Sequence, residues 1–176
     1  MKENENVTKQ NSGLPSRPLI CYAPPFSHRT LCEIATKWLK TNCPKRCPVV
    51  LTELVAQGSI ETPDAIGFTS GYSILIECKT SRSDFLADKK KFFRVYPEQG
   101  IGDFRFYLCP VGIILPEDIP EKWGLLWVDE KGRCRQVKKI ITSNILSIQE
   151  NRFLEKNGRS ERALLYSALR RQQTGA

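Results

Sequence analysis

TPDAIGFTSGYSILIECKTSRSDF, residues 62 to 85, decides how this chain is read. Its centre, SILIEC, has the composition of a buried strand, yet Glu77 and Lys79 stand two residues apart at its end, and Pro63-Asp64 lies shortly upstream. Side chains alternate along a strand, so Glu77 and Lys79 share one face. Ile74, Ile76, Cys78 and Thr80 take the other, which is expected to pack against a helix. A charge toward the end of a buried strand is costly unless it is paired or binds a metal. Ser70-Gly71 reads as a hairpin turn, which returns Asp64 to about the level of Glu77. Two acids and an ammonium group would then converge. The plainer alternative is an exposed hairpin with a cross-strand salt bridge of little energetic weight.

Working outward, Ser27 is placed to cap a helix over about 28 to 41, with an apolar stripe of Leu31, Ile34, Ala35, Trp38 and Leu39. Strands are expected over 49 to 55, 60 to 69 and 72 to 80. Apolar residues at 85, 86, 92, 93 and 96 then predict one helix from 83 to about 96. Strands follow over 104 to 110, 123 to 129 and 133 to 139, the last two joined by a turn at DEKG. Residues 143 to 173 read as two helices broken at Asn157-Gly158, the second with an apolar face at 164, 165, 168 and 169. The order gives an α/β fold with a mixed sheet, in which the helix after the third strand crosses over to a parallel neighbour. Residues 1–25 form a polar, Pro-punctuated leader, 26–140 the α/β domain and 141–176 a helical tail.

The chain has 176 residues, 40% hydrophobic and 26% charged, a globular balance. No apolar run is long enough to span a bilayer, and the leader lacks the apolar core of a secretory signal, so a cytoplasmic location without a membrane partner is expected. Seven cysteines, at 21, 32, 43, 47, 78, 109 and 134, suit reduced thiols better than a disulfide framework. CPKRC, residues 43 to 47, resembles half of a zinc knuckle, but no second Cys or His pair matches it, and His28 is the only histidine. Its ordinary reading is two thiols flanking a loop. Twenty-seven Lys and Arg against 19 Asp and Glu give a formal charge of +8, which favours polyanionic partners.

Carboxylates are the ligands that Mg²⁺ prefers, and such an ion can acidify a water and stabilise charge on a phosphodiester. Lys79 would add a donor beside it. Pro63-Asp64, twelve residues, then Glu77-Cys78-Lys79 resembles the PD-(D/E)XK nuclease signature. The continuation KTSRSDFLADKKKFF, with FRFYLCP and ILPEDIPEKWGLLWVDEKG, is similar to the MmcB-like branch of that superfamily, over about residues 28 to 137. That branch is associated with DNA repair and also met in phage and mobile-element proteins. The resemblance implies a restriction-endonuclease-like core and a metal-dependent endonuclease that hydrolyses DNA phosphodiester bonds. It makes Asp64 and Glu77 ligands of Mg²⁺ or Mn²⁺ and Lys79 the catalytic lysine. A further acid often comes from the first helix, which makes Glu33 a candidate; Glu53 and Glu61 are its rivals.

Glu33 has an ordinary role too, as a solvated partner of Arg29 and Lys37. Arg82, Lys89, Lys90, Lys91 and Arg94 flank the site strand and are candidates to seat DNA through its phosphates. Two copies forming a homodimer would place two sites on one duplex. Phe92, Phe93, Trp123 and Trp127 are expected in the core rather than as platforms for bases. The alternative function is a catalytically weak or inactive nuclease-fold module that binds DNA. A third is self-association through the apolar face of the tail.

Overall fold

Six strands in sequential order, β1-β2-β3-β4-β5-β6, make one mixed sheet. The computed structural model describes residues 26–142 and 149–175; the leader, with Cys21, and the start of the tail lie outside the described residues. Helix α1 (His28–Lys37) precedes β1 (Val49–Thr52), β2 (Ala65–Phe68) and β3 (Ser73–Cys78). Helices α2 (Arg82–Asp88) and α3 (Phe92–Val95) connect β3 to β4 (Phe104–Pro110). Then come β5 (Trp123–Val128), β6 (Cys134–Lys138) and α4 (Gly158–Thr174). The first three strands and the last pair are antiparallel, whereas β3, β4 and β5 run parallel. The α/β class, the mixed sheet and the helical crossover after the third strand agree with the sequence reading.

Period-two alternation sorts β3 between two cores. Ile74, Ile76 and Cys78 pack with Leu31, Cys32, Ala35, Trp38 and Leu39 from α1 and the turn after it. Leu75 faces the other way, into Phe85 of α2, Tyr107 of β4, Trp123 of β5 and Leu164 of α4. Glu77 and Lys79 inherit this second face. At Gly67 a Cβ would stand 2.6 Å from Cys47 Sγ, so only glycine lets the loop after α1 close on β2. Helix α1 starts as its sequence suggests: Ser27 Oγ accepts the Thr30 N–H at 3.1 Å. It ends in a π turn, Trp38–Asn42, closed by the Cys43 N–H donating to Trp38 O at 2.8 Å.

Three expectations need correction. The first two strands are shorter, because Glu53 turns into left-handed backbone (φ 48°) and residues 53 to 64 follow as an irregular connection. The helix expected from 83 to 96 breaks at Lys89–Lys91. In an unbroken helix Arg94 would lie about 9 Å beyond Asp88 and turned away from it. The break returns Arg94 Nε to 2.9 Å from Asp88 Oδ2. Phe92, expected in the core, is 59% exposed on α3, whereas Trp123 is buried and Phe93 and Trp127 are half-buried.

The helix expected in the second half of the tail is present and docked on the sheet. Asn157 Oδ1 accepts the Ser160 N–H at 2.9 Å to cap α4. Glu161 Oε1 accepts from the Ser73 hydroxyl at 2.6 Å and the Gly102 N–H at 2.8 Å, fixing α4 to the starts of β3 and β4. Of its apolar face, Leu164 is fully buried and Leu165 half-buried, while Leu169 is exposed. Among the described residues no helix is long and apolar enough to cross a membrane.

Candidate functional site

Register places three acids in one row. The β1–β2 ladder ends at Thr52 opposite Ala65, and one step further the Glu53 N–H donates to Asp64 O at 3.2 Å. The β2–β3 ladder pairs Ala65 with Ile76, so the next step sets Asp64 opposite Glu77. Glu77 in turn pairs with Tyr107 across the parallel ladder. Glu53, Asp64 and Glu77 thus stand abreast where β1 and β2 finish and β3 continues. The positive φ of Glu53 is a conformation that L side chains adopt at a cost, and such strain collects at functional sites.

The three side chains then diverge. Asp64 is partly exposed at the mouth, where its Oδ2 accepts the Cys78 N–H at 2.7 Å and its Oδ1 lies 3.3 Å from His28 Nε2. Glu53, half exposed, brings Oε1 to 3.6 Å from His28 Nδ1. Glu77 points into the second core and is 2% exposed. Lys79 Nζ lies 3.3 Å from both Glu77 Oε2 and Asp88 Oδ1. Asp64 remains close enough to raise the pKa of both Glu77 and Lys79.

Behind this mouth lies a buried ionic network. Arg94 reaches Glu61 Oε1 with Nη1 at 2.5 Å, Glu77 Oε1 with Nη2 at 3.2 Å and Asp88 with Nε. Glu61 also accepts the Ile101 N–H at 3.1 Å, and Asp88 accepts the Tyr107 hydroxyl at 2.9 Å. Three carboxylates against two buried cations leave one negative charge, which Lys91 offsets from the rim at 2.7 Å from Asp88 Oδ1. Burial pushes the Glu77 carboxyl up to about 7 against the pull of Arg94 and Lys79, with Asp64 and Glu61 raising it further. Burial works against the charge on Lys79 as well, but Glu77 and Asp88 outweigh it and hold the ammonium above its usual pKa. Asp88 is also desolvated, yet Arg94 and Lys79 bring its pKa well below the usual carboxylate range. Lys79 is therefore a cation and a donor, while Glu77 is poised between its two forms near neutrality.

The other residues singled out in the sequence lie as follows. Glu33 is turned to solvent, 3.4 Å from Arg29, and does not join the row. Glu61 belongs to the Arg94 network rather than to the mouth. Arg94 itself has a 4% exposed side chain directed at carboxylates, so it is not a surface grip for phosphates. Arg82 makes a two-point pair with Asp118, at 2.5 and 2.6 Å. Lys89 and Lys90 are exposed, with Lys89 lying over the Phe85 ring. Cys43 and Cys47 are buried free thiols of the first core, with pKa values pushed up by burial to about 11 and about 12.

Sequence reasoning missed Asp88, Arg94 as a core cation, Tyr107, and the His28–Cys32 pair. Asp88 had a signal, since it follows Asp84 by one helical turn on the crossover helix. His28 and Cys32 had a similar one, at i and i+4 on α1. No family model, curated protein or solved structure matches this chain.

Proposed function

We propose that this chain is a metal-dependent endonuclease of the PD-(D/E)XK kind, hydrolysing DNA phosphodiester bonds in repair or in the processing of phage and mobile-element DNA. The sheet with its helices is then a restriction-endonuclease-like core. One observation carries the reading: Asp64 stands opposite Glu77 in register, with Lys79 on the same face as Glu77 and in contact with it.

Asp64 and Glu77 would hold Mg²⁺ or Mn²⁺, with Glu53 the next acid in the row. Their donors are the hard oxygens such an ion prefers, and Glu77 Oε1, now 3.2 Å from Arg94 Nη2, would exchange that guanidinium for the ion. When bound, the ion supplies acidification of a water and neutralisation of charge on the phosphoryl oxygens. Lys79 keeps its proton and so serves as a donor to developing negative charge, not as a base. Asp88, held by Tyr107 and Arg94, positions that ammonium. Lys89 and Lys90 would grip the backbone outside the cleft.

A second reading rests on Arg94, whose guanidinium already answers Glu61, Glu77 and Asp88. On that reading the fold binds DNA without cutting it. Plasmid, linear and branched DNAs incubated with Mn²⁺ or Mg²⁺ separate the two. Cleavage is expected from the wild type and a loss of about 100-fold or more in Glu77→Ala and Lys79→Ala. Salt-sensitive, metal-independent binding by the wild type with no cleavage of any substrate would leave only the second reading.

A further inference from the structure

Three unlike donors meet on the α1 side of Asp64. His28 opens α1, and Cys32 lies one turn further along the same helix face. Asp64 approaches both from the start of β2. A nitrogen of His28, Cys32 Sγ and a carboxylate oxygen of Asp64 lie within 4.8 Å of one another. His28 Nε2 is 3.3 Å from Asp64 Oδ1, and Cys32 Sγ is 3.6 Å from His28 Nδ1 and 4.0 Å from Nε2. Usual zinc bond lengths in a tetrahedron put nitrogen and oxygen about 3.4 Å apart, and nitrogen and sulfur about 3.6 Å apart. For Nε2, the nitrogen that faces Asp64, the oxygen spacing is already close to what a shared ion would impose, and the sulfur at 4.0 Å would have to close by about 0.4 Å.

The surroundings fit as well. Glu53 Oε1 sits 3.6 Å from His28 Nδ1, the nitrogen turned away from Asp64. A carboxylate behind a ligating imidazole fixes its tautomer and strengthens it as a ligand. Cys32 is buried and His28 partly exposed, so the set has a floor of protein and an opening to solvent. Thiolate and imidazole are borderline-soft ligands that select zinc-like ions over Mg²⁺.

We propose that His28, Cys32 and Asp64 form a binding site for one Zn²⁺-class cation, with Glu53 orienting His28 and a water completing the coordination. The site is distinct in chemistry from the carboxylate site of the nuclease reading and does not depend on it, although both use Asp64.

Titration of the full, reduced chain with Co²⁺ alone tests it, read by the thiolate-to-cobalt band in the near ultraviolet and the ligand-field bands of four-coordinate Co²⁺. The thiolate band is expected to saturate at one equivalent, and Zn²⁺ to displace it. His28→Ala, a change at a partly exposed position, should weaken binding at least about tenfold, and Glu53→Gln by about tenfold. Cys32→Ser should remove the thiolate band. Cys43→Ser and Glu77→Gln should leave the thiolate band unchanged, and because Glu77→Gln would end metal-dependent cleavage, the two sites are separable. No thiolate band at one equivalent, or a band lost in Cys43→Ser and intact in His28→Ala, would overturn the proposal.

Discussion

At Glu77 burial works against ionisation, and the folded protein holds this proton more tightly than the unfolded chain does. Between pH about 4.5 and about 7 the native state therefore binds more protons than the unfolded state, and the contribution of Glu77 to stability falls as pH rises through that window. Asp88 and Asp103 act in the opposite sense: both have lowered pKa values, so their contribution is present above the ordinary carboxylate range and lost in acid. Glu77→Gln removes only the first effect. Urea denaturation at pH 5, 6, 7 and 8 should show the variant gaining on the wild type as pH rises; parallel profiles would place the Glu77 pKa near its ordinary value. Arg94→Ala leaves Glu61, Glu77 and Asp88 with Lys79 as their one buried cation. A loss of about 3–5 kcal/mol is expected in the same assay. Added Mg²⁺ should recover part of the Tm in this variant, and no recovery would weigh against a cation-binding role for the cluster.

Helix α4 makes the corresponding case at the scale of the element. Its first turn meets the sheet through Glu161, whose carboxylate takes the Ser73 hydroxyl, the Gly102 N–H and Lys156. Glu161→Ala would leave the buried Gly102 N–H unpaired, while the Ser73 hydroxyl keeps Asp103 Oδ2 as an acceptor at 3.0 Å, at a cost of about 1–3 kcal/mol in chemical denaturation. A change below about 0.5 kcal/mol would mean that α4 docks through its other contacts, Leu164 and Leu165 in the second core and Ser160 with the Ile60 N–H. The elements also differ in how far the sequence discloses them. Strands β3, β4 and β5 were legible because each is a short apolar run, and the hairpin turn because Ser70-Gly71 separates two such runs. The break between α2 and α3 was not legible. Nothing local forbids a helix through Lys89–Lys91; the break coincides with Arg94 reaching Glu61, Glu77 and Asp88, tertiary contacts that helical periodicity does not register.

For the whole molecule, a charge of +8 favours polyanionic partners, yet three of the five flanking cations are already engaged by carboxylates. Arg94 lies inside, Arg82 is paired with Asp118 and Lys91 is drawn onto Asp88. If Lys89 and Lys90 each neutralise a phosphate, Lys89→Gln with Lys90→Gln should lower the slope of log Kobs against log salt by about 2. An unchanged slope would mean that Lys89 and Lys90 contact no phosphates. The acid row at this scale was legible through turn position and strand period, which together set Asp64 against Glu77. The ionic floor beneath it was not, because Glu61, Asp88 and Arg94 arrive from an irregular connection and two separate helices. The proposed function requires that Asp64 and Glu77 jointly bind a hard divalent cation. Its most direct measurement is the Mn²⁺ dissociation constant at pH 8, by electron paramagnetic resonance, for wild type, Asp64→Asn and Glu77→Gln. At least about tenfold weaker binding in each variant is the expected result, whereas Glu77→Gln binding Mn²⁺ as tightly as the wild type would contradict it.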